Sequence, residues 1–127
     1  MNIPADLKYT KDNEWIRVKG NEAYIGITDF AQSQLGDVVF VEIMQTGREI
    51  DQSDSFGTVE SVKAVSEVFM PVTGTILEAN VELENEPELL NTDPYGDGWI
   101  IKILLADPSS VNSLLSPKDY EELIKQE

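Results

Sequence analysis

The sequence predicts a mainly β fold, a sandwich or flattened β-barrel with short helices after the first hairpin and at the C-terminus. Short runs of β-branched and aromatic residues recur along the chain, and Gly, Asn and Pro interrupt them about every 8–12 residues. Helical patterns occur only between the early strands and near the C-terminus. The 127 residues are enough for one domain with a hydrophobic core and too few for two ordinary domains.

The predicted strands come from short runs rich in Val, Ile, Phe, Tyr and Trp. Gly20-Asn21 separates the first two runs and is typical of a hairpin turn. Residues 56–71 are predicted to form two short strands folded back on each other, whereas residues 1–13 and 49–55 are predicted to be polar connections. The other predicted strands are residues 14–18, 23–27, 38–43, 75–79 and 99–104.

An early helix is predicted between two capping residues. Thr28 can cap its start and Gly36 can end it in a left-handed conformation, with Ala31 and Leu35 on the side that faces the core. The acidic residues 80–91 are predicted to be a loop with short helical turns, because Pro and Asn interrupt any longer pattern.

The C-terminus is predicted to be helical. Residues 108–115 are predicted to contain one or two helical turns. Ser116-Pro117 places a capping serine before a proline at the first helical position, and an acidic residue follows at the third. We expect this helix to run to about residue 125. Tyr120 and Leu123, three residues apart, are predicted to dock it on the sheet.

The charge and the missing residue types exclude several functions. Lys and Arg number 9 and Asp and Glu number 24, so the net charge is −15, which repels nucleic acid and anionic membranes and favours cationic protein partners. Without Cys or His, the chain has no disulfide, no thiol nucleophile and no zinc site of the usual kind. No signal peptide or membrane-spanning run is visible, so we expect a cytoplasmic bacterial protein.

Lys63 lies at the predicted tip of the 56–71 hairpin and is unusual for its surroundings. It is the only cation between Arg48 and Lys102, and the two residues on each side of it are small or apolar. A lysine side chain in water has a pKa of about 10.4, so acylation needs a second protein that grips the tip and removes the proton. The spacing alone fits an acceptor for an acyl group or an ordinary surface lysine.

Few of the side chains can perform redox or nucleophilic chemistry by themselves. No glycine-rich phosphate loop is present, and the many acidic residues make chance carboxylate pairs common. In a chain of this composition, the presence of one special lysine indicates that the chemistry is supplied by a prosthetic group.

Seven motifs stand in order over nearly the whole chain: Tyr9-Thr10-Lys11-Asp12-Asn13-Glu14-Trp15, Gly26-Ile27-Thr28-Asp29-Phe30-Ala31-Gln32, Leu35-Gly36-Asp37, Glu60-Ser61-Val62-Lys63-Ala64, Pro71-Val72-Thr73-Gly74, Asp93-Pro94-Tyr95 and Gly98-Trp99. Together these motifs resemble the glycine cleavage system H protein family. Two places depart from that pattern: Asn13 stands where the family commonly has His, and residues 43–47 replace a more usual turn sequence.

The resemblance implies a single lipoyl-carrier domain over residues 1–127, with a lipoyl/biotinyl-domain-like β core at about 14–105 and a C-terminal helical extension at about 108–127. It implies lipoic acid in amide linkage to Lys63. The flanking residues expected to take part in recognition of this lysine are Glu60, Ser61, Val62 and Ala64.

The resemblance also implies a non-catalytic, monomeric carrier. A glycine decarboxylase (P protein) would load an aminomethyl group onto the arm and an aminomethyltransferase (T protein) would remove it. Dihydrolipoyl dehydrogenase (L protein) would reoxidise the arm, and a lipoate ligase or lipoyltransferase would attach the lipoate. The family folds the loaded arm into a surface cleft, and we expect Glu14 and Glu67 to lie near that cleft and attract the amine.

Four alternatives remain open. A biotin carrier domain typically has Met on both sides of its lysine, and Val62 and Ala64 disfavour it. A lipoyl domain of a 2-oxo acid dehydrogenase usually has Asp before the lysine and lies in a longer multidomain chain, so Val62 and the chain length of 127 residues disfavour it. A relay role, in which the lipoyl group is donated to other lipoyl domains, cannot be separated by sequence. The remaining alternative is an acidic interaction domain that carries no cofactor.

Overall fold

The computed structural model describes residues 1–126 and confirms the mainly β prediction. Within these residues, nine strands form two sheets that do not close into a barrel. Buried side chains from both sheets, with Ile25 and Ile103 from one and Val41 and Val59 from the other, meet in one hydrophobic core. The strands are β1 (Lys8–Tyr9), β2 (Glu14–Lys19), β3 (Glu22–Ile27), β4 (Val38–Ile43), β5 (Glu49–Ile50), β6 (Ser55–Ser61), β7 (Val65–Phe69), β8 (Gly74–Ala79) and β9 (Ile101–Leu105).

Every strand pair is antiparallel. The larger sheet has the order β1-β2-β3-β9-β8-β5, and the smaller sheet has the order β4-β6-β7. Strand β6 is the centre of the smaller sheet, so the chain on either side of Lys63 is hydrogen-bonded into that sheet.

The early helix follows its predicted caps. The Thr28 hydroxyl accepts a hydrogen bond from the Ala31 amide, and the helix ends at Gly36, whose φ of 78° and ψ of −159° few other residues adopt. Ala31 and Leu35 pack against the main core, as predicted. The helices are α1 (Asp29–Leu35), α2 (Glu82–Asn85), α3 (Leu89–Thr92), a 3₁₀ helix (Pro108–Ser113) and α4 (Pro117–Ile124).

Three sequence predictions need correction. Residues 1–13 are more than a polar connection, because β1 lies there and Tyr9 is fully buried. Residues 49–55 likewise contain β5, whose Ile50 is buried. The last strand begins at Ile101, two residues later than predicted. Glu127, the end of the predicted C-terminal extension, lies outside the described residues.

The C-terminal helix docks through an aromatic cluster. Ser116 caps α4 by accepting a hydrogen bond from the Asp119 amide. The buried ring of Tyr120 stacks on Tyr9 with 4.8 Å between ring centroids, and Leu123 packs against the same cluster. The predicted docking of this helix is therefore confirmed, although its main partner is the β1 segment that the sequence did not reveal.

Within residues 1–126, none of the helices has both the length and the apolar character needed to cross a bilayer.

Candidate functional site

Lys63 stands at an exposed hairpin tip that is held by hydrogen bonds. Strands β6 and β7 pair up to Glu60 and Val65, which leaves a short turn with Lys63 near its centre. The Ser61 hydroxyl, which is buried beneath the turn, accepts hydrogen bonds from the amides of Lys63 (3.3 Å) and Ala64 (3.1 Å). The Ser61 amide donates to the Ala64 carbonyl at 2.8 Å. Ser61 thus fixes the backbone from which the lysine side chain projects.

A second set of contacts ties the tip to the body of the protein. The Val62 amide donates to the Asp37 carbonyl at 3.0 Å. Asn91 holds the residues on both sides of Asp37, because its carbonyl accepts from the Val38 amide (2.9 Å) and its amide group donates to the Gly36 carbonyl (2.8 Å). The tip therefore has a fixed position relative to the end of α1.

The lysine side chain lies over Gly36. A Cβ built on Gly36 would sit 3.4 Å from Cε of Lys63. Within residues 1–126 the Lys63 ammonium group makes no ion pair, so no carboxylate has to be displaced before it reacts. Both features leave the amine available to a partner.

A cleft of about 170 Å³ is lined by Leu35, which directly precedes Gly36, and by Glu14. A cavity of about 150 Å³ is large enough to hold benzene, so this cleft has room for a group the size of a five-membered ring. One part of its wall is apolar and another carries amide, hydroxyl and carboxyl groups. The lining residues are Asp12, Asn13, Glu14, Ile27, Ala31, Gln34, Leu35, Val59, Ser66, Glu67 and Val68.

Glu14 is a buried carboxyl group, with only 2% of its surface exposed. Its two oxygens accept hydrogen bonds from the Thr10 hydroxyl (2.7 Å) and the Phe69 amide (3.1 Å). Burial raises the pKa of Glu14 from its ordinary value of 4.5 to about 7, although the two hydrogen bonds oppose this rise. Near neutral pH the carboxyl group can therefore gain or lose a proton within the cleft.

Glu67 borders the same cleft but is placed differently from Glu14. It is exposed on the edge strand β7, in register with Thr58, and it also borders a shallow depression on the other face of the small sheet. The structure thus places both Glu14 and Glu67, the two residues predicted from the sequence, at one cleft. Glu14 is buried within it, and Glu67 is exposed at its rim. Asp12 is a third carboxylate at the cleft, which sequence reasoning missed among the many acidic residues of the chain.

Asn13, which departs from the family pattern, also lines the cleft. Its backbone has a positive φ of 69°, a conformation that Asn tolerates better than most residues. Its side-chain carbonyl accepts a hydrogen bond from the Tyr120 hydroxyl at 2.9 Å, and the same hydroxyl lies 2.7 Å from that of Thr28. Asn13 therefore links the cleft wall to the C-terminal helix.

Comparison with known proteins shows the family of this chain. The family model described as Glycine cleavage H-protein matches residues 7–127. The chain belongs to this family. The glycine cleavage system H protein of Symbiobacterium thermophilum is 54% identical over 125 residues, which cover 98% of each chain. That of Carboxydothermus hydrogenoformans is 52% identical over 125 residues, covering 98% of this chain and 96% of the relative.

A solved structure supports the same family and fold. The crystal structure of a glycine cleavage system H protein from Mycobacterium marinum superposes with a TM-score of 0.85 at 36% identity, and covers 98% of each chain. Membership of the family makes this protein the lipoyl carrier subunit of the glycine cleavage system, which works with the other components of that system.

Proposed function

We propose that Lys63 carries lipoic acid in amide linkage and that this arm shuttles an aminomethyl group between the enzymes of glycine cleavage. The observation that supports it is the exposed, hydrogen-bonded Lys63 tip next to the end of α1, whose Leu35 lines a cleft that also holds apolar side chains and the buried Glu14 carboxyl group. An alkyl chain with a small ring suits the apolar wall, and a cationic amine suits the carboxyl group.

The attachment step uses only the amine of this chain. Lipoate activated as an acyl adenylate gives up AMP when Nζ of Lys63 attacks its carbonyl carbon, and the amine loses a proton as the amide forms. A lipoate ligase or lipoyltransferase supplies the activated acyl group and removes the proton. Ser61 holds the turn, so the enzyme meets an already ordered substrate.

The bound lipoyl group supplies a disulfide that accepts an aminomethyl group together with two electrons. The chain's own contribution is to hold, shelter and present this arm, which reaches on the order of 10–15 Å at ~1.5 Å per bond. The glycine decarboxylase, the aminomethyltransferase and the dihydrolipoyl dehydrogenase perform the chemistry, and this monomeric chain is not an enzyme. The proposed location, beside those enzymes, is the bacterial cytoplasm.

Glu14 is proposed to receive the cationic amine of the loaded arm, and Glu67 to attract it from the rim. Glu14 has the stronger case because it is buried, and an ion pair in such a site is weakly screened by water and salt. An amine cation beside Glu14 also favours the ionised carboxylate over the protonated form. Loss of the aminomethyl group from the loaded arm should be faster in Glu14→Gln than in Glu67→Gln.

Intact-mass measurement on the protein from its native host, followed by peptide mapping, tests the attachment. We expect a lipoyl increment on Lys63 and no other modified lysine. A biotinyl increment, or no modification in a host that contains lipoate, would contradict the proposal. Deletion of the gene then separates a carrier of glycine cleavage, whose loss stops only glycine breakdown, from a relay, whose loss also reduces lipoylation of other proteins.

A further inference from the structure

Four exposed apolar side chains form a patch around the lysine tip, here called the tip patch. They come from two segments that are distant in sequence, β4 and the hairpin, and between about half and two thirds of each side chain is exposed. Single exposed apolar residues are common, but several of them close to a reactive side chain are typical of an interaction surface. The tip patch consists of Val39 (48% exposed), Phe40 (52%), Val62 (69%) and Val65 (67%).

The register of the small sheet explains the tip patch. Phe40 and Val65 are both paired with Glu60, so they lie on either side of it on the outer face of the sheet. An irregularity between Val38 and Phe40 inserts Val39 as an extra residue and leaves both Val39 and Phe40 exposed. The aromatic ring of Phe40 therefore lies exposed within three strand positions of the tip. An aromatic side chain in a strand would otherwise be expected to be buried in the core.

Carboxylates surround the tip patch. Glu60 lies between Phe40 and Val65, and the next row of the same face places Glu42 and Glu67 on either side of Thr58. These acids are exposed. A second copy of this chain, with its own net charge of −15, would bring like charges together on this face. A partner that covers the patch must instead present an apolar pocket rimmed by Lys or Arg.

The distance from the backbone to the atom on which a partner acts indicates which partner covers the tip patch. An enzyme that acylates Lys63 must bring its active site to Nζ, which lies only about 6 Å from the backbone at full extension. Such an enzyme necessarily covers the residues beside the tip. The enzymes that act on the end of the completed arm can remain about 10–15 Å away. The need for close contact is therefore greatest in the attachment step.

We infer that the tip patch is the docking surface for the lipoate-attaching enzyme, and that Phe40 is its anchor in an apolar, basic-rimmed pocket. Phe40 positions the lysine for acylation without touching the reacting atoms. This inference rests on the proposed attachment of lipoate to Lys63.

The test measures acylation of the full-length apo chain, isolated from a lipoate-deficient host, by a purified bacterial lipoate–protein ligase with lipoate, ATP and Mg²⁺. Intact mass follows the product. We expect Phe40→Ser to lower kcat/KM about tenfold or more, mainly through KM. Val65→Thr, which keeps the branched shape and the strand propensity, should lower it by a smaller factor. The matched control is Leu104→Ser, an outward residue of β9 that is 43% exposed on the other sheet.

The outcomes separate this inference from the proposed function. If the wild-type chain is not acylated on Lys63, the proposed attachment fails. If the wild-type chain is acylated and Phe40→Ser, with an unchanged circular dichroism spectrum, reacts equally fast, the docking inference is overturned while the attachment stands. It is also overturned if Leu104→Ser slows the reaction as much, or if the wild-type chain forms a dimer that Phe40→Ser disrupts.

Discussion

Replacement of Glu14 by Gln should change how the stability of the protein depends on pH. In the folded protein the carboxyl group is buried and its pKa is about 7, whereas its ordinary value is 4.5. Between these two pH values the folded state holds a proton that the unfolded state has released. The contribution of Glu14 to the free energy of unfolding of the wild-type chain therefore decreases as pH rises from about 4.5 to 7. Above pH 7 this contribution changes no further.

The size of the effect follows from the difference between the two pKa values. At about 1.4 kcal/mol per pH unit, it amounts to about 3 kcal/mol. The glutamine side chain of the variant has no proton to release. Its carbonyl can accept from the Phe69 amide and its amide group can meet the Thr10 hydroxyl, so the two existing hydrogen-bond sites stay occupied. Relative to wild type, the variant should therefore gain about 3 kcal/mol in unfolding free energy between pH 4.5 and 8.

Urea unfolding, followed by tryptophan fluorescence at several pH values, measures this difference. The difference between variant and wild type isolates Glu14, because the other 23 acidic residues titrate in both proteins. Glu88→Gln, at an exposed site away from the cleft, is the control and should show no such trend. A difference between Glu14→Gln and wild type that stays constant with pH would refute a buried carboxyl group that is protonated near neutrality.

The remaining predictions concern the support of the lysine tip. Gly36→Ala should cost about 1–3 kcal/mol in urea unfolding, because φ 78° and ψ −159° lie in a region populated almost only by glycine. Its new methyl group, 3.4 Å from Cε of Lys63, should also slow acylation. Ser61→Ala should cost about 1 kcal/mol and lower the acylation rate severalfold, whereas Ser61→Thr should retain more of both. Asn91→Ala leaves the Val38 amide and the Gly36 carbonyl unpaired and should cost about 2–4 kcal/mol, with faster hydrogen exchange at the Val62 amide. Acylation that is unaffected in all three alanine variants would contradict a tip whose fixed position matters.

The sequence was sufficient where the signal is local. Turn residues and β-branched runs predicted the hairpin around Lys63, and the caps at Thr28 and Ser116 predicted the starts of two helices. The two-residue strands β1 and β5 were missed because two residues are too few to show an alternation.

The parts of the site that were not predicted depend on contacts between distant residues. Asn91 binds Val38 across 53 positions, and a single Asn in an acidic loop gives no sign of such a partner. Phe40 belongs to a predicted strand, but its exposure follows from the irregularity at Val39, which the alternation of that strand did not reveal. Glu14 was placed near the cleft by resemblance, whereas its burial and raised pKa follow only from the packing around it.

The most direct test of the carrier role is glycine-dependent release of carbon dioxide in a mixture of glycine decarboxylase, aminomethyltransferase, dihydrolipoyl dehydrogenase and this protein in its lipoylated form. Lys63→Arg keeps the positive charge and a long side chain but offers no amine for an amide bond. We predict that this variant, taken through the same lipoylation treatment, supports no release above the level without the protein. Release equal to that of the wild-type chain would contradict the account.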